Sequence, residues 1–137
     1  MKIRNLALCL LLGTLALSAA ADVVKNPLSV HVLNLQTGQP SQGMTVTLHR
    51  KEGNHWVRLS SLPTDAQGRI ASLYPTAERL KKGDYKITFE TGAYFSQRQQ
   101  STFYPEIPVI IHVEKTDAHY HVPLLVSQYG FSTYRGS

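Results

Sequence analysis

The segment Leu28-Ser29-Val30-His31-Val32-Leu33-Asn34 decides the fold class predicted for this chain. Successive side chains of a β-strand point to opposite faces of a sheet, so Leu28, Val30 and Val32 form one apolar face. His31 lies on the other face, away from the expected core. The segment is therefore predicted to be a half-buried strand that carries a histidine on its non-core face.

Further runs rich in β-branched and aromatic residues follow, with turn sequences of Gly, Asp, Asn and Pro between them. The predicted strands are 28–35, 44–50, 56–59, 69–73, 85–90, 109–115 and 119–126. Short strands at this spacing predict an antiparallel sandwich or barrel, and we expect a β-sandwich of two sheets. One short polar helix is predicted at 91–99. The chain has no internal repeat or linker, so we expect a single folded domain.

Residues 1–21 have the composition of a secretory signal peptide. Lys2 and Arg4 precede an apolar stretch from Leu6 to Leu17, and small residues end the segment. This stretch is shorter than the ~20 apolar residues that a membrane anchor needs. We therefore expect cleavage and export, which leaves a domain at 22–137 that is not anchored to a membrane.

Composition excludes several classes of protein. The chain has 137 residues, 42% of them hydrophobic, a formal net charge of +5 and one Cys. That residue, Cys9, lies in the predicted signal peptide, so the exported domain has neither a disulfide nor a thiol nucleophile. Its Lys and Arg residues are scattered, whereas nucleic acid binding needs a basic stripe, so we expect no nucleic acid partner. Without disulfides, the apolar core, oligomerisation or both must stabilise the domain.

The motifs of several enzyme classes are also missing from the sequence. There is no G-x-S-x-G elbow of a serine hydrolase, and no phosphate-binding loop of the G-x-x-x-x-G-K or G-x-G-x-x-G type. The acidic residues fall mostly in turns, which leaves a glycosidase-type carboxylate pair open but unsupported. Histidine, arginine and water remain as the candidate chemistry.

His119-x-His121 is the sharpest local pattern. On a strand, these two side chains share one face, opposite the apolar face of 120, 122, 124 and 126, and therefore off the expected core. They lie about 7 Å apart, near enough to bind one metal ion. The same residues suit acid–base catalysis, because a histidine can accept and donate a proton near neutral pH. In a third interpretation, one of the two is a solvated histidine and the other lies at a subunit interface, and neither binds metal or takes part in catalysis.

Arg69 and three further histidines are weaker candidates. Arg69 follows the turn 65–68 at the start of a predicted strand, and its planar guanidinium suits an anionic or carbonyl-rich substrate. His49 and His55 are expected to be exposed. His112 alternates with apolar neighbours, and its face is not defined by the pattern.

Two segments of the sequence resemble the transthyretin-like family. The first is 28–34 with Thr37-Gly38-Gln39-Pro40, and the second is 119–137, which ends in Tyr134-Arg135-Gly136-Ser137. This terminal tetrapeptide separates the 5-hydroxyisourate hydrolases of the family from the hormone-carrying transthyretins. The likeness covers essentially the whole exported domain, so the chain resembles the hydrolase branch. Gln128 stands where the family usually has Pro, and Phe131 where it often has Tyr.

The resemblance implies a set of site residues. The catalytic residues, which also bind substrate, fall on His31, Arg69 and His121. The terminal motif adds substrate-binding residues at Tyr134, Arg135 and Ser137. Neither Gln128 nor Phe131 is one of these positions.

The resemblance also implies an architecture and an assembly. The family fold is an all-β transthyretin-like sandwich of two four-stranded sheets with one short helix. It assembles as a homotetramer, a dimer of dimers, with active sites in a channel between the dimers. The signal peptide then implies a periplasmic form. Neither a cofactor nor a resident metal is implied.

The implied reaction is the hydrolysis of 5-hydroxyisourate to 2-oxo-4-hydroxy-4-carboxy-5-ureidoimidazoline, a cyclic amide ring opening in urate degradation. One of His31 and His121 would take a proton from water, and the other would orient the water or protonate the leaving nitrogen. Arg69 would stabilise the developing oxyanion. The sequence does not distinguish which histidine is the base.

Two alternatives come from other classes of protein. A transthyretin-like carrier would hold an aromatic ligand in the same channel, but carriers lack the Tyr-Arg-Gly-Ser end. A periplasmic metal-binding protein would use His119 and His121 together with His31 or His112.

Overall fold

The computed structural model describes residues 25–137, and the predicted signal peptide lies outside them. The elements in chain order are β1 (Leu28–Asn34), β2 (Gln39–Pro40), β3 (Thr45–Glu52), β4 (His55–Pro63), β5 (Arg69–Ile70), β6 (Gly83–Phe89), α1 (Thr91–Ser96), β7 (Ile107–Val113), β8 (Tyr120–Val126) and β9 (Phe131–Thr133). One sheet has the order β2-β1-β8-β9, with β5 also beside β1, and the other has the order β4-β3-β6-β7.

The predicted β-sandwich with one short helix is confirmed, with two differences in the sheet that contains β1. That sheet has five strands, because the two-residue strands β2 and β5 both pair with β1. In addition, β1 and β8 run parallel, whereas the spacing predicted antiparallel strands. Parallel neighbours need a long crossover connection. Here the chain that connects β1 to β8 includes all four strands of the other sheet.

The helix α1 ends at Ser96, three residues before the predicted end. The amide N–H groups of Gln99 and Gln100 donate to the carbonyls of Ser96 and Phe95, both over 2.9 Å. Gln99 has a positive φ of 56°. This is the hydrogen-bond pattern of a Schellman motif, with a glutamine where glycine is usual, and it stops the helix.

The core lies between the two sheets, and the alternation of the sequence fixes which side chains enter it. Val30 and Val32 of β1 and Leu124 of β8 face Leu48 and Ile87 of the second sheet, all fully buried. His31 and His121 lie on the opposite face of their strands, as predicted. Among the described residues, no helix is long and apolar enough to span a membrane.

The turn that leads into β5 is held by its own polar groups. Asp65 Oδ1 accepts hydrogen bonds from the amide N–H groups of Gln67 and Arg69, over 2.9 and 2.8 Å. Gly68 has a φ of +71°, and a Cβ placed on it would lie 2.4 Å from the carbonyl oxygen of Val32 in β1. Only glycine fits this backbone and this close approach, which fix the start of β5 against β1.

Gly68→Ala is therefore expected to lower the free energy of unfolding by about 3 kcal/mol, from left-handed backbone strain and overpacking together. Gly53→Ala is the matched control, since Gly53 has a φ of +58° but open space around its Cα. Its loss should be only about 1–2 kcal/mol. Urea unfolding at one fixed protein concentration compares the two variants. Equal losses would contradict the close approach at Gly68.

Candidate active site

Three strands bring His31, Arg69 and His121 onto one face of the five-stranded sheet. His31 in β1 is paired directly with Arg69 in β5, and Ser29 in β1 is paired with His121 in β8. Paired residues on one face have Cβ atoms about 4.5–5.5 Å apart. The three predicted catalytic residues therefore form one cluster that spans β5, β1 and β8.

A cavity of about 370 Å³ opens on this face. Among the predicted site residues, Arg69, His121 and Ser137 line it. The other lining residues are Lys25, Asn26, Ser29, Val30, Ala71, Ser72 and His119. The described lining residues include two cationic side chains and none that is acidic. The cavity therefore favours a ligand that is anionic or rich in carbonyl groups.

Ser29 joins the two histidines of the His119-x-His121 pattern. Its hydroxyl lies 3.0 Å from His119 Nε2 and 2.8 Å from His121 Nδ1. The imidazole rings are nearly parallel, with centroids 6.5 Å apart. The strand alternation placed Ser29 on the face of His31, but its contact with His121 follows from the parallel pairing of β1 with β8, which the sequence did not predict.

The terminal segment packs directly against His121. The amide N–H of Gly136 donates to the carbonyl oxygen of His121 over 2.8 Å, and the two residues form a β-bridge. A Cβ at Gly136 would lie 2.5 Å from His121 Cδ2 and 3.2 Å from a ring carbon of Pro123. The glycine of the terminal motif therefore leaves room for the imidazole ring of His121.

Gly136→Ala is expected to displace the ring of His121 or the terminal segment, and to lower kcat about tenfold or more. Gly130→Ala is the matched control, because a Cβ there would meet only Ser127 Oγ at 3.8 Å. Steady-state kinetics of both variants test the close packing. Full activity of Gly136→Ala would show that the ring tolerates the added methyl group.

Tyr134 and Arg135 do not line this cavity. Both line a second cavity of about 340 Å³, together with His112, and His121 borders both cavities. The Arg135 guanidinium lies 5.0 Å from the centre of the Tyr120 ring, a cation–π contact. The structure thus brings Ser137 to the cluster of catalytic candidates and places Tyr134 and Arg135 on the far side of His121.

The remaining histidines lie on the other sheet. His55 at the start of β4 is exposed, as predicted, and His112 is exposed beside Asp84, with 2.7 Å between His112 Nδ1 and the carboxylate. His49 is half-buried rather than exposed, because it lies in the middle of β3 between β4 and β6. Within residues 25–137, no three His, Cys, Asp or Glu side chains form a group that could hold a metal ion.

The two departures from the family pattern make local contacts away from the cluster. The Gln128 side chain accepts a hydrogen bond from Gln36 over 2.8 Å and donates one to the Ser101 carbonyl over 2.5 Å. The Phe131 ring packs edge-on against Tyr104, with centroids 5.2 Å apart. Both residues support loops rather than the catalytic candidates.

The pKa values of both candidate catalytic histidines are lowered. Burial and then the positive charge of Arg69 lower the pKa of His31, against weaker opposing effects of the Gln67 backbone and Asp65. Burial also lowers the pKa of His121, followed by Arg69, His119, His31 and Lys25. Both imidazoles are therefore neutral at pH 7, the form in which a histidine can accept a proton.

The activity should consequently resist mild acid. We expect kcat/KM to stay constant from pH 8 down to about 6.5, the ordinary His pKa, and to fall only below it, as the base becomes protonated. Arg69→Gln removes a charge that lowers both pKa values, so the fall should move to higher pH. A pH–rate profile of both proteins checks this. An acid limb above pH 6.5 in the wild type would contradict the lowered values.

Comparisons with known proteins match most of this chain. The HIUase/Transthyretin family model matches residues 28–136. The 5-hydroxyisourate hydrolase of Salmonella typhi is 49% identical over 131 residues, which cover 96% of this chain and 94% of that protein. The mouse 5-hydroxyisourate hydrolase is 39% identical over 114 residues, covering 82% of this chain and 96% of its own length.

Solved structures give the same result. The 5-hydroxyisourate hydrolase of Klebsiella pneumoniae superposes with a TM-score of 0.72 at 39% identity, covering 82% of this chain and 99% of that one. Transthyretin from Sparus aurata superposes with a TM-score of 0.75 at 25% identity, covering 80% and 96%. The fold is thus shared with hydrolases and a transthyretin, and the three hydrolases named here are more identical to this chain than that transthyretin is.

Proposed function

This chain belongs to the HIUase/transthyretin family, and we propose that within it the protein acts as a 5-hydroxyisourate hydrolase. One observation carries the proposal: Arg69 and His121 line a single cavity, and His31 is paired with Arg69 beside them. The reaction is hydrolysis of 5-hydroxyisourate to 2-oxo-4-hydroxy-4-carboxy-5-ureidoimidazoline.

The proposed mechanism needs only water and the side chains of the cluster. One of His31 and His121 takes a proton from water while the water oxygen forms a bond to the lactam carbonyl carbon. Arg69 holds the developing oxyanion with its planar donor fork. The ring C–N bond then breaks, and the leaving nitrogen receives the proton that the base histidine took from water. The second histidine, neutral as well, orients the water.

The cavity fits this substrate class in size and charge. A volume of about 370 Å³ lies in the ordinary range for small-molecule sites. Lys25 and Arg69 give it a positive potential, which suits the carbonyl oxygens of an oxidised purine. Ser137, from the terminal motif, lies on the same wall.

The assembly proposed for the protein is a homotetramer, a dimer of dimers. The edge strands β7 and β9 carry exposed apolar side chains, Ile110 at 61% and Phe131 at 41%, followed by Tyr134 at 57%. Edges with such residues favour pairing with another chain. Contact of Tyr134 and Arg135 with substrate depends on this assembly. Sedimentation velocity tests it, and a monomer at micromolar concentration would contradict it.

The location proposed for the protein is the periplasm. Its support is the composition of residues 1–21, which resembles a cleavable signal peptide. Cell fractionation with mass spectrometry of the N-terminus tests the proposal. Full-length protein in the cytoplasmic fraction would contradict it.

The proposed activity is tested by the absorbance decay of freshly made 5-hydroxyisourate and by NMR identification of the product. We expect the decay to accelerate in proportion to protein concentration, with the ureidoimidazoline as product. A carrier would bind the compound without accelerating its decay. Activity that survives chelation would argue against a required metal at His119 and His121.

A further inference from the structure

A chain of hydrogen bonds links Asn26 to His121 through His119 and Ser29. The carbonyl oxygen of Asn26 lies 2.7 Å from His119 Nδ1. His119 Nε2 lies 3.0 Å from the hydroxyl of Ser29, and that hydroxyl lies 2.8 Å from His121 Nδ1. Four groups on two segments of the chain, 26–29 and 119–121, are thereby connected in series, and the proposed mechanism uses only the last of them.

The donors in this chain can be assigned from its fixed end. A carbonyl oxygen only accepts, so His119 Nδ1 carries hydrogen and donates to Asn26. In neutral His119 the other ring nitrogen, Nε2, is then an acceptor, and it receives the single hydroxyl hydrogen of Ser29. Ser29 Oγ has no second hydrogen, so His121 Nδ1 must donate to it. Neutral His121 therefore has hydrogen on Nδ1 and a lone pair on Nε2.

The structure holds this chain rigidly. Ser29 is only 8% exposed. Asn26 is fixed by its own side chain, whose Nδ2 donates to the Tyr74 carbonyl over 2.8 Å and whose Oδ1 accepts from the backbone N–H of Leu28 over 3.1 Å. On the other side, Gly136 packs against the His121 ring. The imidazole of His121 is thus confined on both sides.

We propose that Ser29 and His119 are positioning residues that hold neutral His121 in the Nδ1–H tautomer and leave its Nε2 free to accept a proton. The tautomer is a property of the free protein, while its catalytic meaning rests on the proposed function. In that reaction His121 is the base that activates water. His31, paired with Arg69, then orients the water, and His121 passes the proton it has accepted to the leaving nitrogen.

The tautomer is tested first, without substrate, by ¹⁵N NMR of the histidine rings above pH 7. We expect His121 in the wild type to carry hydrogen on Nδ1 alone. Ser29→Ala and His119→Phe should each give a mixture of tautomers at His121, because the acceptor or its orientation is lost. His119→Gln keeps an oxygen that can accept from Ser29, so the Nδ1–H tautomer should be restored. Ser61→Ala, which removes a hydrogen-bonded strand serine on the other sheet, should leave it unchanged.

Kinetics of the same variants give the second readout. We expect kcat to fall about tenfold in Ser29→Ala and His119→Phe with KM little changed, and to recover at least partly in His119→Gln. Hydrogen on Nε2 of His121 in the wild type, or an unchanged tautomer in Ser29→Ala, would overturn the proposal. If the wild type has the expected tautomer but does not hydrolyse 5-hydroxyisourate, the proposed function is contradicted and the tautomer assignment is not.

Discussion

Replacing His121 or His31 with alanine is expected to lower kcat by about 10²–10⁴-fold, the range that a positioned general acid or base supplies. The two histidines lie on the same face of neighbouring strands, and the positive charge of Arg69 lowers the pKa of both. Because the proposed reaction needs one histidine to take a proton from water and the other to orient that water, neither histidine should replace the other.

Steady-state kinetics with each single variant check this expectation. His55→Ala is the matched control, since His55 is exposed at the start of β4 on the other sheet. It should keep the wild-type rate. Full activity in either His31→Ala or His121→Ala would contradict the division of roles between the two histidines.

Replacing Arg69 with glutamine is expected to lower kcat about 10²–10³-fold, since a donor aimed at a developing oxyanion acts mainly in the transition state. Arg69 is well suited to this role because the turn at Asp65 and Gly68 fixes its backbone at the first position of β5. Lysine keeps the charge but not the planar fork, so Arg69→Lys should recover only part of the rate.

Separate measurement of kcat and KM in Arg69→Gln distinguishes oxyanion stabilisation from simple substrate binding. A loss confined to KM would mean that Arg69 binds substrate and transition state equally. Arg58→Gln, on an exposed part of β4, is the control for the loss of a positive charge and should leave both constants unchanged. Unchanged kcat in Arg69→Gln would contradict oxyanion stabilisation.

Much of the sandwich could be predicted from local sequence because its strands alternate clearly. Buried residues alternate with more exposed ones along both central strands, as Val30 and Val32 show in β1 and Val122 and Leu124 in β8. The predicted non-core face of His31 and His121 is therefore confirmed. The strand β2 has two residues and leaves no periodic signal, whereas β5 was predicted at 69–73 and is a strand only over Arg69–Ile70. The helix end was missed because a glutamine, Gln99, takes the left-handed position where glycine is expected.

The contacts of the candidate site were less predictable than its residues. Arg69 meets His31 only because β5 pairs with β1, and Ser29 meets His121 only because β8 runs parallel to β1. Pairing between strands distant in sequence depends on the whole topology, which local patterns do not encode. His49 illustrates the same limit, since its burial comes from β4 and β6 on either side of it.

The decay of fresh 5-hydroxyisourate under three matched conditions tests the central claim most directly. The conditions are buffer alone, the wild-type protein, and a variant that combines His31→Ala, Arg69→Gln and His121→Ala, with circular dichroism to confirm that the variant is folded. We predict that the wild type accelerates the decay in proportion to its concentration, while the combined variant matches buffer. A wild type no faster than buffer would contradict the hydrolase assignment, and a combined variant as fast as the wild type would contradict the site.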